Sequence, residues 1–176
     1  MISKELYYFI SEFNESEILA ISKKINIIYR NYKTPLNEDI LKKIQKICKK
    51  TGKKLFLSNN IRLALKLKLD GVYIPAFNKS KNLKFNFKNS FRIIGSAHNL
   101  KEIKIKKKQK VKKIFVSSVF KKNKNYLGIN RFKTLSKNIE SKVVALGGIN
   151  NTNIGKVKLL NISSIAGISF FKKKAP

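Results

Sequence analysis

One cysteine, Cys48, is all the thiol the 176 residues carry, so no disulfide forms within the chain. It sits on the apolar side of a helical pattern and reads as a small core residue. No apolar run reaches the ~18 residues that a membrane-spanning helix needs. Tyr7-Tyr8-Phe9-Ile10 is too short, and its neighbours too acidic, for the core of an export signal. With so little cysteine and no such segments, a reducing cytoplasm is the expected compartment. There is one histidine, His98. Acidic residues are scarce as well, 9 against 40 basic ones, for a formal net charge of +31. Such a charge has two readings. One is a nucleic-acid or anionic-membrane partner, bound through counterion release. The other is composition: Lys, Asn, Ile and Phe abound, all from A/T-rich codons, and Lys far outnumbers Arg. Lysines fall in almost every segment, and only Lys101 to Lys113 is dense, reading as a solvated helix face that runs into a strand. A binding patch is localised, so the dispersion favours composition, with nonspecific sticking to polyanions expected.

What is present is an alternation. In Lys53–Asn78, Leu55-Phe56-Leu57 is a short apolar run ending in Ser58-Asn59-Asn60, and Ile61 to Leu69 repeats apolar residues at helical spacing. Asp70-Gly71 breaks that helix, and Val72-Tyr73-Ile74 stops at Pro75 and Asn78. This is a βαβ unit, with parallel strands and a right-handed crossover. Before it, Glu5–Ser11 reads as strand one and Asn14 caps a helix to about Lys23, with Glu17 completing a capping box. Ile25–Tyr29 is strand two, and Asn37 opens a helix that Gly52 closes. After it, residues 79–90 carry no helical pattern. Phe91–Ile94 is strand five, followed by Gly95-Ser96-Ala97-His98 and a short helix capped by Asn99. Lys113–Ser117 is strand six, and a long basic loop over Ser118–Gly128 leads to a helix near Asn130–Asn138. Lys142–Leu146 is strand seven, ending in Gly147-Gly148, with a helix from about Asn150 and strand eight at Ser164–Gly167. Eight strands alternating with helical links predict a single α/β domain over residues 1–176, a compact (β/α)8 barrel with short or irregular crossovers. At roughly 22 residues per unit it is stripped down from the ~250 typical of such barrels. A doubly wound sheet is the alternative, but its glycine fingerprint is missing after strand one. In a barrel, chemistry sits in the loops after the strands. Here those loops offer the amides Asn59, Asn60 and Asn78 and no carboxylate; as turn formers the same residues are equally at home.

The order of segments resembles thiamine phosphate synthase and its sister, the TenI-type thiazole tautomerases. The similarity runs from about Leu6 to Phe171, through YYFISE, IIYRNYK, LSNN, DGVYIPAFN, IIGSAHNLKE, VFKKNKNYLG, VVALGGIN and GISFF. The resemblance implies a barrel that joins hydroxymethylpyrimidine diphosphate to thiazole phosphate with release of diphosphate, and Mg²⁺ as cofactor. Arg30 takes the place of the diphosphate-binding arginine. Ile28 and Tyr32 stand at the family's Gln and Lys positions, with Lys33 one residue late. Asn59 matches the diphosphate-contacting amide and Ser96 the pyrimidine-contacting serine. Asn60 and Asn78 occupy the two metal-carboxylate positions. Lys122 and Lys124 fall in the loop that binds diphosphate, and extra lysines there would hold it without much metal. Gly148, Ile168 and Ser169 match the thiazole-phosphate cradle. His98 stands where the tautomerases keep a proton-transferring histidine, a task suited to an imidazole titrating near neutrality. A TenI-like tautomerase, a non-catalytic barrel that binds phosphate ligands, and a basic nucleic-acid-binding protein remain as alternatives.

Overall fold

The computed structural model describes residues 5–80, 88–160, 162, 164–167 and 171. Eight parallel strands pair in chain order: β1 (Glu5–Ile10), β2 (Ile25–Tyr29), β3 (Leu55–Ser58), β4 (Gly71–Ile74), β5 (Arg92–Ala97), β6 (Lys113–Val116), β7 (Lys142–Leu146) and β8 (Ser164–Gly167). β8 then pairs with β1, Leu6 against Ile165 and Tyr7 against Ala166, and closes the barrel. Helices α1 (Glu15–Ala20), α2 (Glu38–Lys50), α3 (Ile61–Lys66), α4 (Leu100–Lys108), α5 (Gly128–Ser136) and α6 (Ile154–Val157) lie on the crossovers. The (β/α)8 architecture expected from the alternation is the one the chain adopts.

Side chains alternate across each strand, which sorts the apolar residues into two layers. Tyr7, Phe9, Ile28, Phe56, Tyr73, Ile94, Phe115, Val144 and Ala166 form the inner cluster. Its aromatic rings meet edge to face, Tyr7–Phe115 at 5.0 Å, Phe9–Tyr73 at 5.3 Å and Tyr73–Phe115 at 5.4 Å, the geometry that ring quadrupoles favour. Large rings are how such short strands fill a barrel. The outward set, including Tyr8, Ile27, Leu55, Val72, Ile114 and Ile165, packs with Ile18 of α1, Leu41, Ile44 and Cys48 of α2, and Phe132 of α5. Cys48 is thus the buried core residue its pattern implied.

Several boundaries differ from expectation, each for a local reason. β5 continues to Ala97 instead of stopping at Ile94. Gly95 pairs with Ile74, and a Cβ there would lie 2.6 Å from the Ile74 carbonyl oxygen, so glycine permits the close approach. α6 begins at Ile154, not Asn150, because Asn150 Oδ1 accepts from the backbone N–H groups of Thr152 and Asn153 and holds a polar turn. α1 ends at Ala20, and the Glu17 carboxylate accepts the Tyr8 hydroxyl. The lysine-rich stretch is not one solvated face: Lys106 of α4 and Lys113 of β6 are buried. The expected irregular crossover falls largely on 81–87, outside the described residues.

At the N-terminal mouth, Glu5 bonds Arg92 at 3.1 Å and also holds the Lys113 ammonium, while the Tyr7 hydroxyl donates to it at 2.8 Å. That end of the barrel is closed by paired charge.

Candidate active site

At the opposite mouth, the C-terminal ends of β2, β4, β5, β6 and β7 surround a cavity of about 460 Å³. Tyr73 and Leu146 line its apolar base, and Arg30, Lys79 and Lys124 bring positive charge to it. Arg30 directly follows β2; its backbone N–H donates to the Ile10 carbonyl at 2.8 Å, and its guanidinium lies 4.6 Å from the Phe9 ring centroid. Lys124 sits in the long loop after β6. That loop is tied at its ends, Ser118 N–H to the Asn125 carbonyl and Leu127 N–H to the Ser118 carbonyl, both 2.8 Å. Among the described residues neither Arg30 nor Lys124 forms an ion pair.

Ser96 points inward from β5, buried, with its Oγ accepting the Ala76 N–H at 3.0 Å. Beside it the Tyr73 phenol is pushed up to about 12 by burial, with the Ser96 hydroxyl and the Arg30 charge acting the other way. His98 lies one residue past β5. Its Nδ1 is 2.7 Å from the Ser117 carbonyl and 3.1 Å from Ser117 Oγ. A carbonyl only accepts, so Nδ1 carries a proton and donates it to Ser117. Glu102 also reaches the cavity, but its Oε2 is engaged by the His98 backbone N–H at 2.7 Å.

Of the residues singled out in the sequence, Arg30, Ser96, His98 and Lys124 therefore share one cavity. Lys33 and Lys122 are exposed and do not line it; Tyr32 occupies the wall beside Arg30. Gly148 follows β7 at φ +76, and a Cβ on it would lie 2.3 Å from the Lys121 backbone nitrogen. The glycine thus lets the β7 loop dock on the β6 loop that carries Lys124, and the Phe120 N–H donates to the Gly147 carbonyl at 2.8 Å. Ile168 and Ser169 lie outside the described residues.

The magnesium positions have other occupations. Asn60 caps α3, its Oδ1 accepting the Leu63 N–H at 3.0 Å. Asn59, at φ 59, accepts at its Oδ1 from Asn78 Nδ2 at 2.7 Å, and Asn78 Oδ1 accepts the Ser80 N–H at 3.0 Å. Among the described residues no three His, Cys, Asp or Glu side chains are grouped to hold a metal. A magnesium ion leans on one or two carboxylates besides phosphate oxygens, and the two amides at its positions, Asn60 and Asn78, both already bonded to protein, do not fit that requirement.

The sequence did not single out Phe77, Tyr73 or Ser117 as site residues. The one signal for Phe77 was a large apolar residue between Pro75 and Asn78, where a polar loop residue is the norm.

Residues 12–171 match the family described as thiamine monophosphate synthase. The chain belongs to that family. Among its relatives is the thiamine-phosphate synthase of Prochlorococcus marinus subsp. pastoris, 33% identical over 96% of this chain and 52% of that protein. Another is the thiamine-phosphate synthase of Methanococcus vannielii, 29% identical over 74% of this chain and 66% of the relative. The chain thus spans about half to two thirds of these two relatives. A thiamine phosphate pyrophosphorylase from Pyrococcus furiosus superposes with a TM-score of 0.78 at 20% identity, covering 94% of this chain and 86% of that one. FabK from Thermotoga maritima superposes at 0.71 with 12% identity, covering 97% and 59%. At such identities the likeness shows only a shared barrel, and the family membership of this chain rests on the sequence match. Among the described residues no helix is long and apolar enough to cross a membrane.

Proposed function

We propose that the cavity joins an aminopyrimidine methyl diphosphate to a thiazole phosphate and releases diphosphate. The observation that carries this reading is the pair Arg30 and Lys124, two cations without an acidic partner among the described residues, facing one cavity in a chain that matches the family over 160 residues. In the reaction the bond between the pyrimidine methylene carbon and the diphosphate oxygen breaks, and its electron pair leaves with the diphosphate. The thiazole nitrogen then supplies the pair for the new carbon–nitrogen bond. Charge builds on the leaving oxygens, so fixed donors aimed there lower the barrier. The Arg30 guanidinium offers a planar fork and Lys124 a point charge. Ser96, with Tyr73 behind it, offers a hydroxyl to the pyrimidine edge, and His98 Nε2 is free to hold or pass a proton. Gly148, together with Ile168 and Ser169, is the seat proposed for the thiazole phosphate through backbone N–H groups.

No step is routed through Mg²⁺, because the amides at its family positions do not suit it; neutralisation falls on the basic side chains. The test mixes both substrates with the purified protein across a range of Mg²⁺ concentrations, including chelator, and measures coupled product and released diphosphate together. Equal amounts of the two support the reading. No coupled product at any metal concentration overturns it.

A further inference from the structure

Two large aromatic side chains stand at the rim of this cavity more than half exposed, Tyr32 at 52% and Phe77 at 60%. Adjacent exposed aromatics at a concave mouth mark a binding surface. Their rings meet edge to face, with centroids 5.5 Å apart and planes at 75°. Neither is loose. The Tyr32 hydroxyl is 2.5 Å from Ser58 Oγ at the end of β3, which fixes the ring over that strand. Phe77 rides on the loop after β4, and that loop is pinned on both sides of it. Lys106, buried in α4, donates from Nζ to the carbonyls of Pro75 at 2.8 Å and Asn78 at 3.1 Å. Gln109 donates from Nε2 to the carbonyls of Asn78 at 3.1 Å and Ser80 at 2.7 Å. Buried polar side chains that hold an exposed aromatic outward preorganise it for a ligand.

Position supplies the rest. Arg30 and Tyr32 are two apart in the segment after β2 and line the same cavity as Tyr73 and Phe77, so guanidinium and aromatic wall stand close together. A ring joined through a single methylene to a diphosphate held by Arg30 has to lie beside that wall. Aromatic faces accept flat heterocycles whatever their ring substituents. Resting on the function proposed above, we propose that Tyr32 and Phe77 form an aromatic subsite for the planar pyrimidine ring, separate from the anion site at Arg30 and Lys124.

The test uses two probes on the native chain and on Tyr32→Leu and Phe77→Leu, which keep apolar bulk and lose the ring. One probe is the aminopyrimidine alcohol lacking phosphate; the other is inorganic diphosphate; calorimetric titration reads both, and a thermal melt checks folding. Each substitution should weaken the alcohol about three- to tenfold and leave diphosphate binding within about twofold, since the anion site is untouched. Tyr32→Phe, which loses only the Ser58 bond, should fall between native and Leu. No binding of the alcohol by the native chain, equal binding by all variants, or a parallel loss of both probes overturns the subsite. The titrations need no turnover. A chain that forms no coupled product yet binds the alcohol through these rings loses the synthase reading and keeps the subsite.

Discussion

At the N-terminal mouth of the barrel, Lys113 and Arg92 both reach Glu5, and Tyr7 donates to the same carboxylate. At the C-terminal mouth, Arg30 and Lys124 face a cavity, and among the described residues no acid pairs with either. The two ends use similar side chains for opposite purposes. A basic group with its own carboxylate has little left for a ligand, and its contribution is to stability. A basic group left unpaired adds little to stability, and its field stays available to an incoming anion. Lys106 is a third case, a buried ammonium satisfied by two carbonyls and by Gln109 Oε1 at 2.9 Å, with no acid bonded to it among the described residues. It works on the fold and on the site at once, since the loop it holds carries Phe77.

Four experiments test that contrast. Arg30→Ala should have the largest effect, a loss of about 10²–10³-fold in the rate of diphosphate release, with a melting temperature close to native. A large drop in melting temperature instead would mean that Arg30 is a structural cation and the contrast is lost. Glu5→Gln should do the reverse: it strands two cations, lowers stability by about 1–3 kcal/mol in urea denaturation, and leaves the rate unchanged. The third experiment concerns pH. Burial lowers the Lys106 ammonium from 10.5 to about 8, with Glu102 opposing. Between those values the unfolded chain binds more of that proton than the folded one, so this group makes stability rise with pH across the window. Urea midpoints of the native chain and Lys106→Met, compared from about pH 8 to about pH 10, should show a steeper rise in the native chain. The difference is bounded by about 1.4 kcal/mol per pH unit, the limit for one proton; parallel slopes would contradict it. The smallest effect is expected at Asn60. Asn60→Ala should lower stability by about 1 kcal/mol through loss of the α3 cap, and Asn60→Asp should retain it. Neither should change the metal response of the assay, whereas a Mg²⁺ requirement created by Asn60→Asp would show that the cap residue reaches the cavity.

How much was legible beforehand follows from where each signal lives. The eight strands were readable because short apolar runs ended in polar residues, glycine or proline, and β2, β7 and β8 begin and end where the pattern puts them. The sequence pattern ends β5 at Ile94 because Gly95 has the character of a loop residue, and only its close approach to Ile74 across the sheet makes it a strand residue. Arg30, Ser96 and His98 were singled out by the family resemblance, Arg30 also as a charge directly after an apolar run, and the barrel brings the three to one cavity. Asn60 and Asn78 were open between turn formers and ligands; capping and the Asn59 bond depend on neighbours across space. The dense lysines at the start of β6 and along α4 looked alike in sequence, yet Lys106 and Lys113 are buried and Lys107 pairs with Glu140 on the surface.

The order and type of the elements and the apolar alternation that makes a barrel lay in the chain itself, because periodicity and local turn chemistry act between near neighbours; the family lay there too, in segments whose order matches it over residues 12–171. Which lysines are buried, which cations keep an acid, and that Tyr32 and Phe77 stand together at one rim were settled only when the barrel closed. Those properties depend on residues separated along the chain and brought together by strand pairing, where charge and burial are felt through space.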